Sequence, residues 1–412
     1  LRIGIIGGGA AGMMVAATLL ENESFGGEVV LFERNMKLGQ KVMISGGGRC
    51  NVTTGISGVK DILKNYPRGA SFLRTAMYDF QPDDLREWIE QRGVPLKCES
   101  DLRVFPKSDN GADFVGMFEK LLDDKRCEVR YRSIVEKVER DSSCEGFLVA
   151  VRGGEFEKFD KLVVACGGRA YRHTGSVGDG YEFAEKLGHT VTPVAESLNS
   201  YMVSEEWIAE LAGLSFEKVG LKFVGKSSVY EFAGPIVFTH KGISGPTVFA
   251  LSSLAAFEEF SPEDPSQMEI DFLPELNQEI LRSEFARYRK TFGSRNLGTW
   301  MKGYVPRRLV DRFEAGVLEK NMADVSKKEL ALVVEFLKRF KLNLVKKTPG
   351  DEFVTAGGVS LNEVDRNTLE SKICPGLYFA GEVLDVDGFT GGFNLQAAWC
   401  TGRKVGESLL DF

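Results

Sequence analysis

The chain opens on an apolar run, Ile3-Gly4-Ile5-Ile6, that stops at Gly7-Gly8-Gly9; Met13, Ala16, Ala17 and Leu20 then recur at helical spacing. A second apolar run, Val29-Val30-Leu31-Phe32, follows and ends on Glu33. Continuous apolar runs bounded by glycine predict strands buried on both faces, and the recurrence between them predicts a helix. Lys161-Leu162-Val163-Val164-Ala165 and Gly376-Leu377-Tyr378-Phe379-Ala380 repeat the pattern, one ending on Cys166-Gly167-Gly168 and the other on Gly381-Glu382. Residues 68 to 92 and 112 to 125 carry helical periodicity, and Cys127 to Arg132 and Phe147 to Val151 read as strands. Strands alternating with helices predict an α/β, Rossmann-like fold with a parallel sheet.

The pattern changes from about Pro193. Ser215 to Phe238 alternates polar and apolar positions, which predicts antiparallel strands, and residues 275 to 340 are helical in period with breaks near Gly293, Gly298 and Pro306. Past Lys346-Lys347-Thr348-Pro349-Gly350 the glycine-punctuated apolar style returns. The expected organisation is one domain built from both chain ends, residues 1 to 192 and 345 to 412. An insertion at 193 to 344 has strands at about 193 to 250 and helices at about 275 to 340.

Composition narrows the classes. A length of 412 residues with 43% hydrophobic side chains supplies two or three cores. A net charge of −7, with no basic run carrying interleaved aromatics, argues against a nucleic-acid surface. No stretch approaches the roughly 18 to 20 apolar residues of a membrane span, and no secretory signal is visible, so a cytoplasmic protein without a membrane partner is expected. The seven cysteines (Cys50, Cys98, Cys127, Cys144, Cys166, Cys374, Cys400) are scattered without C-x-x-C. They read as reduced thiols, and with only His173, His189 and His240 beside them no metal site is expected.

The chemistry is concentrated where the strands end. Gly7-x-Gly9-Ala10-Ala11-Gly12 between a strand and a helix is the dinucleotide fingerprint. Gly7 makes the turn, Gly9 lets the backbone approach a pyrophosphate, and Gly12 lets the helix pack closely on the sheet. The helix N-terminus then offers N–H groups to the diphosphate, and Glu33, 21 residues past Gly12 and followed by Arg34, offers a carboxylate to the ribose. Lys37 to Asn51 is a polar, glycine-rich loop of the kind that binds ligands. Near the C-terminus Gly381-Glu382 leads through Asp385, Asp387 and Gly388 to Thr390-Gly391-Gly392-Phe393-Asn394-Leu395-Gln396, a glycine turn running into a helix.

Three ordered motifs of this kind resemble FAD flavoproteins with the glutathione-reductase-type nucleotide fold. The finer resemblance, over nearly the whole chain, is to the BaiN/YhiN-like family of FAD-dependent oxidoreductases. Four segments carry it: Lys37 to Lys41 with Ser45 to Asn51, Thr174 to Gly180, Phe238 to Pro246, and Gly376 to Gln396. The resemblance implies that Gly7 to Gly12 and Glu33 hold the ADP half of a noncovalent FAD. It also implies that Gln40, Lys41, Ser45, Gly46, Gly47, Gly48, Arg49, Cys50 and Asn51 line the diphosphate and flavin, and that Ile134 touches the adenine side. Glu382 would take the ribityl chain, with a turn cap as its structural alternative, and Asn394 and Leu395 would face the flavin pyrimidine edge. Gln40 and Val177 depart from the family pattern, which leaves Lys41 to carry the charge contact to phosphate.

The implied activity is hydride transfer through flavin N5, with NAD(P)H reducing an activated C=C of a small organic substrate. An amine oxidase using O2 and a non-catalytic flavin sensor are the alternatives. One fingerprint means no separate nicotinamide domain, so donor and substrate take turns. The insertion is expected to cover the flavin. His240, between glycines and a Ser-Gly-Pro turn, is the candidate proton carrier, with a structural role as its alternative. No protein partner is identifiable.

Overall fold

A computed structural model describes residues 1–141, 146–226, 228–350 and 352–411. Five strands form one parallel sheet in the order Leu377–Phe379, Lys161–Val164, Arg2–Ile6, Glu28–Phe32, Cys127–Arg130. The register aligns Ile6 with Val164 and with Phe32, and Val164 with Phe379, so the carboxyl ends lie level. Gly7, Cys166-Gly167-Gly168, Glu33 and Gly381-Glu382 consequently fall along one edge of the sheet. Open α/β sheets bind their ligands at this edge. The central strands are sealed on both faces, with Ile3, Ile5, Val29, Val30, Leu31, Leu162 and Val163 wholly buried, as the continuous apolar runs require. The α/β Rossmann-like fold expected above is the one observed.

Ala10–Glu21 and the C-terminal helix Phe393–Leu410 pack together at very short range. A Cβ on Gly402 would stand 2.5 Å from the Ala11 carbonyl oxygen, and one on Gly406 would stand 2.5 Å from Thr18 Cβ. Two glycines one turn apart thus let the backbones meet and bring both chain ends onto one sheet. At the far end of this pair Glu21 accepts from Arg403 (2.9 Å) and Arg92 (2.6 Å). Residues 68 to 92 contain two helices, Ala70–Asp79 and Pro82–Glu90, because Pro82 starts a new helix inside a reciprocal Gln81–Asp84 capping box. The expected loop at 37 to 51 contains a short helix, Gln40–Ile44. Phe147–Val151 lies in a separate antiparallel sheet between Val135–Arg140 and Phe156–Phe159.

Leu1–Ser197 with Glu352–Phe412 forms one compact unit, and Leu198–Asp351 forms a second with its own apolar core. In the second unit six strands close into an antiparallel barrel: Tyr201–Val203, Gly242–Ser244, Val229–Phe238, Ser215–Val224, Ser266–Asp271 and Phe340–Lys347. Closure leaves no exposed sheet edge. The antiparallel strands expected within 215 to 238 are present as the pair Ser215–Val224 and Val229–Phe238. Beginning where the expected helical stretch ends at 340, Phe340–Lys347 is a strand, because the buried positions Phe340, Leu342 and Leu344 switch to a period of two after the helix Lys327–Lys338. The helices of this unit include Gln278–Thr291, whose Asn277 cap accepts from Ile280 N–H (2.8 Å).

Among the described residues no helix is long and apolar enough to cross a membrane, and no group of three or more His, Cys, Asp or Glu is placed to hold a metal. Cys50, Cys98, Cys127, Cys166, Cys374 and Cys400 are free thiols; Cys144 lies outside the described residues.

Candidate cofactor site

Each fingerprint glycine meets a different steric demand. Gly7 has φ +110°, and a Cβ there would lie 2.5 Å from the Ala165 carbonyl oxygen. A Cβ on Gly12 would lie 1.9 Å from the Gly7 carbonyl oxygen. Gly9 differs: its Cβ would meet nothing within 4 Å. Gly9 caps the helix Ala10–Glu21 without a side-chain hydrogen bond, and the first turn, containing Ala10 and Ala11, carries no acid. Open space lies over N–H groups at the positive end of a helix dipole, an arrangement suited to a diphosphate.

Glu33 is 6% exposed and fixed from both sides. Its Oε2 accepts from Gly8 N–H (3.0 Å), while Oε1 accepts from the Asn35 backbone and side chain, both at 2.7 Å. Burial raises its pKa above the usual carboxylate value, against those hydrogen bonds and the neighbouring Arg34. Asn35 also donates to Thr174 O (2.9 Å), and Arg34 pairs with Asp179 (2.7 Å) and donates to Gly175 O (3.3 Å). The Thr174–Gly180 motif therefore forms the wall beside the expected ribose. Ser133 N–H donates to Glu33 O and Arg132 N–H to Asn35 O, both at 2.9 Å, which brings Ile134 to the same corner.

The loop after Gln40–Ile44 curls through left-handed backbone: Gly46, Gly47, Gly48 and Cys50 have φ of +59°, +75°, +91° and +62°. Cβ atoms on Gly47 and Gly48 would meet nothing within 4 Å. Ser45 closes the loop, its carbonyl accepting from Cys50 N–H (2.9 Å) and its hydroxyl from Asn51 N–H (3.1 Å). With its amide oxygen turned to the C-terminal helix, Asn51 accepts from Gly392 N–H (3.0 Å) and donates to Thr53 O (3.2 Å). Thr53 Oγ1 donates to Gln396 Oε1 (2.7 Å) and Trp399 Nε1 to Val52 O (2.9 Å). This glycine loop and the amino end of Phe393–Leu410 are therefore one assembly, although more than 300 residues separate them in sequence. That end is capped by Gly392 (φ +92°), has no acid in its first turn and carries Phe393, Asn394 and Leu395.

Lys41 Nζ lies 2.6 Å from Glu382 Oε2, and Thr355 N–H donates to Glu382 Oε1 (2.9 Å). Gly168 packs here too, since its Cβ would lie 3.0 Å from Glu382 Oε1. A cation and a carboxylate from opposite ends of the chain thus meet at the strand edge. Burial pushes the Cys50 and Cys166 thiols up to about 12, so neither is a thiolate nucleophile at neutral pH.

Other predicted residues are engaged elsewhere. Arg49 pairs with Glu99 (2.7 Å) and stacks on Phe105, its centre 3.9 Å from the ring. The Asn394 side chain is committed to Gly388, accepting from its N–H (2.9 Å) and donating to its carbonyl (2.7 Å). His240 is exposed on the turn between Val229–Phe238 and Gly242–Ser244, where Thr239 N–H donates to Gly242 O (2.8 Å). Asp179, Thr355 and Thr53 act on remote partners, Asp179 alone inside a quoted motif, and Asn35 joins the nearby Glu33 to the remote Thr174, a link that spacing does not mark. A groove of about 780 Å³ lined by Lys137, Arg140, Lys186 and Cys374 lies just before the strand Leu377–Phe379, away from the carboxyl edge, and contains none of the predicted residues.

The open faces of Gly9, Gly47 and Gly48, the uncapped helix starts, Glu33 and Lys41 fit a dinucleotide of the FAD type. Residues 1–408 match the family described as HI0933-like protein Rossmann domain. The chain is 30% identical over 412 residues to a 3-dehydro-bile acid delta(4,6)-reductase of Clostridium scindens, covering 99% of this chain and 98% of that protein. It is 31% identical over 414 residues to a ribosomal RNA dihydrouridine synthase of Haemophilus influenzae, covering 98% and 97%. A ribosomal RNA dihydrouridine synthase of Escherichia coli is 29% identical over 410 residues, with 98% and 97% covered. The chain belongs to the HI0933-like family, whose matched region is a Rossmann domain that covers residues 1–408.

Proposed function

We propose that this chain holds FAD noncovalently and uses NAD(P)H to saturate a carbon–carbon double bond conjugated to a carbonyl group. The observation that carries the reaction type is that two relatives matched over nearly their full length bear names with one chemistry in common. A delta(4,6)-reductase acting on a 3-dehydro steroid removes unsaturation beside a ketone, and dihydrouridine is uridine whose ring C=C, conjugated to a carbonyl, is saturated. The net reaction adds hydride from NAD(P)H and a proton across that bond.

FAD, when bound, supplies hydride transfer at N5. The protein's own part is to bind and orient. The helix start at Gly9 holds the diphosphate with Lys41, Glu33 holds the ribose, Glu382 the ribityl chain, and Ser45 to Asn51 line the flavin. With FAD bound, the amino end of Phe393–Leu410 would face the pyrimidine edge and stabilise the negative charge gained there on reduction. Residues 193 to 344 supply substrate selectivity, and His240, exposed on its turn, is the candidate proton source, with a structural role in that turn as its alternative. With one nucleotide fingerprint, nicotinamide and substrate alternate in a ping-pong cycle. The net charge of −7, without a basic run, favours a small-molecule substrate over a nucleic acid.

Product analysis tests this reading. FAD-loaded protein with NADH or NADPH is offered a 4-en-3-one steroid, a simple cyclic enone, a uridine oligoribonucleotide and a set of amines. A product carrying two added hydrogens from a conjugated substrate supports the proposal, and the preferred member names the substrate class. Oxidation of an amine with O2 consumption replaces it with the oxidase reading, and inertness to every substrate replaces it with the sensor reading.

A further inference from the structure

One short segment outside the cofactor cradle is tied to the loop that leads into it. Asn65–Gly69, between the helices Val59–Leu63 and Ala70–Asp79, lies against Asp385–Phe389, with Arg68 and Asp387 forming an antiparallel bridge. Phe389 N–H donates to Asn65 O (2.8 Å), and Tyr66 Oη donates to Phe393 O (2.7 Å). Gly69 closes the approach: at φ +76° its Cβ would stand 2.5 Å from Val386 Cγ2. Arg68 supplies the charge. Its guanidinium forks onto Asp387, Nε to Oδ1 and Nη2 to Oδ2 (2.6 Å), and Ser197 Oγ donates to the same Oδ2 (3.0 Å). The Asp387 side chain is wholly buried. A carboxylate withdrawn from water in this way is tolerable only while paired, so the fork fixes where Asp387 stands.

Asp387 is five residues ahead of Gly392, the cap of Phe393–Leu410, and Asn394, two residues past that cap, reaches back to bond Gly388 through both amide atoms. The loop is thus held on both flanks immediately before the helix start. The dipole effect of a helix end falls off within its first turn, so its influence on a ligand depends on where Gly392 to Asn394 are held.

We propose that Arg68 is a positioning residue for the flavin: its fork on Asp387 holds the Asp385–Asn394 loop so that the first N–H groups of the C-terminal helix face the pyrimidine edge. The inference rests on the FAD reading above. Reduction places negative charge on that edge, so a loosened loop weakens binding of the reduced cofactor more than of the oxidised one, and the potential becomes more negative.

The test is the midpoint potential of bound FAD, with FAD in excess, in the parent, in Arg68→Lys, and in the doubly neutral Arg68→Gln/Asp387→Asn. Arg68→Lys keeps the charge and loses the fork; the double variant removes the buried charge pair and carries the test where Arg68→Lys does not fold. We expect folded variants whose reduced-to-oxidised affinity ratio falls about tenfold, a shift of ~30 mV for a two-electron couple. A folded variant with the parent's potential overturns the proposal and leaves Arg68 a structural ion pair. A parent protein that takes up no FAD overturns the cofactor reading itself, and the proposal with it.

Discussion

The Gly8 N–H donates to Glu33 Oε2 at 3.0 Å, joining the glycine turn of the first strand to the acid that ends the second. The bond orients a buried carboxylate whose one remaining lone pair, on Oε2, can accept a ribose hydroxyl. A hydrogen bond to a charged group contributes roughly 1.5 to 3 kcal/mol. Glu33→Ala is therefore expected to weaken FAD binding by about one to two decades, measured by fluorescence titration. An unchanged dissociation constant removes Glu33 from the site.

Gly9 and Gly12 separate cofactor binding from folding. Gly12→Ala drives a methyl into the Gly7 carbonyl, an overpacking that costs roughly 1 to 3 kcal/mol or more, and the melting temperature of the apoprotein should fall. Gly9→Ala meets open space at φ −81° and should leave the apoprotein's melting temperature nearly unchanged. Its methyl stands where the diphosphate is expected, so FAD affinity should drop by about tenfold or more. Gly9→Ala with full affinity would place the cofactor elsewhere.

These glycines were legible because their chemistry is local: a turn, a helix start and an acid follow one another within 33 residues. The same holds for Lys161 to Gly168 and Gly376 to Glu382, whose apolar runs end in glycine. What stayed hidden is what the fold brings together from afar. Arg68 and Asp387 are 319 residues apart, Thr53 and Gln396 are 343 apart, and neither pair is flagged by spacing. Gly402 and Gly406, where two helices touch, carry no mark in the local sequence either. The strand Phe340–Lys347 was missed because its two-residue alternation begins directly after a helix, without a glycine or proline to mark the change.

His189 gives the protein a pH dependence of stability away from the cofactor. It is 4% exposed, sits edge-on to Phe379 and lies 2.8 Å from Ser371 Oγ through Nε2. Burial lowers its pKa below 6.5, with Glu363 and a hydrogen bond to Ala184 opposing. Between that lowered value and 6.5 the unfolded chain binds more protons than the native one. Its contribution to stability is present above pH 6.5 and is lost as pH falls through this window. Melting temperatures across the range should show the decline, and His189→Asn should flatten it; an equally steep decline in the variant assigns the slope to other groups.

His240→Gln should keep FAD bound and the melting temperature close to the parent's. A lost proton transfer slows the substrate half-reaction by roughly 10²- to 10⁴-fold and removes one limb of its pH profile. Single-turnover oxidation of the reduced protein by its preferred enone measures this directly. Parent-like rates make the histidine an element of its turn only.

The edge formed by Gly9, Lys41, Glu33 and Glu382 is expected to hold FAD for passing hydride from a nicotinamide to a conjugated double bond. The most direct measurement is anaerobic: protein loaded with FAD is mixed with NADH or NADPH and the flavin absorbance followed, then an enone is added. We expect rapid bleaching by at least one nicotinamide, return of the absorbance on adding the enone without O2, and recovery of the saturated product. Flavin that neither nicotinamide bleaches, or that only O2 restores, contradicts this expectation.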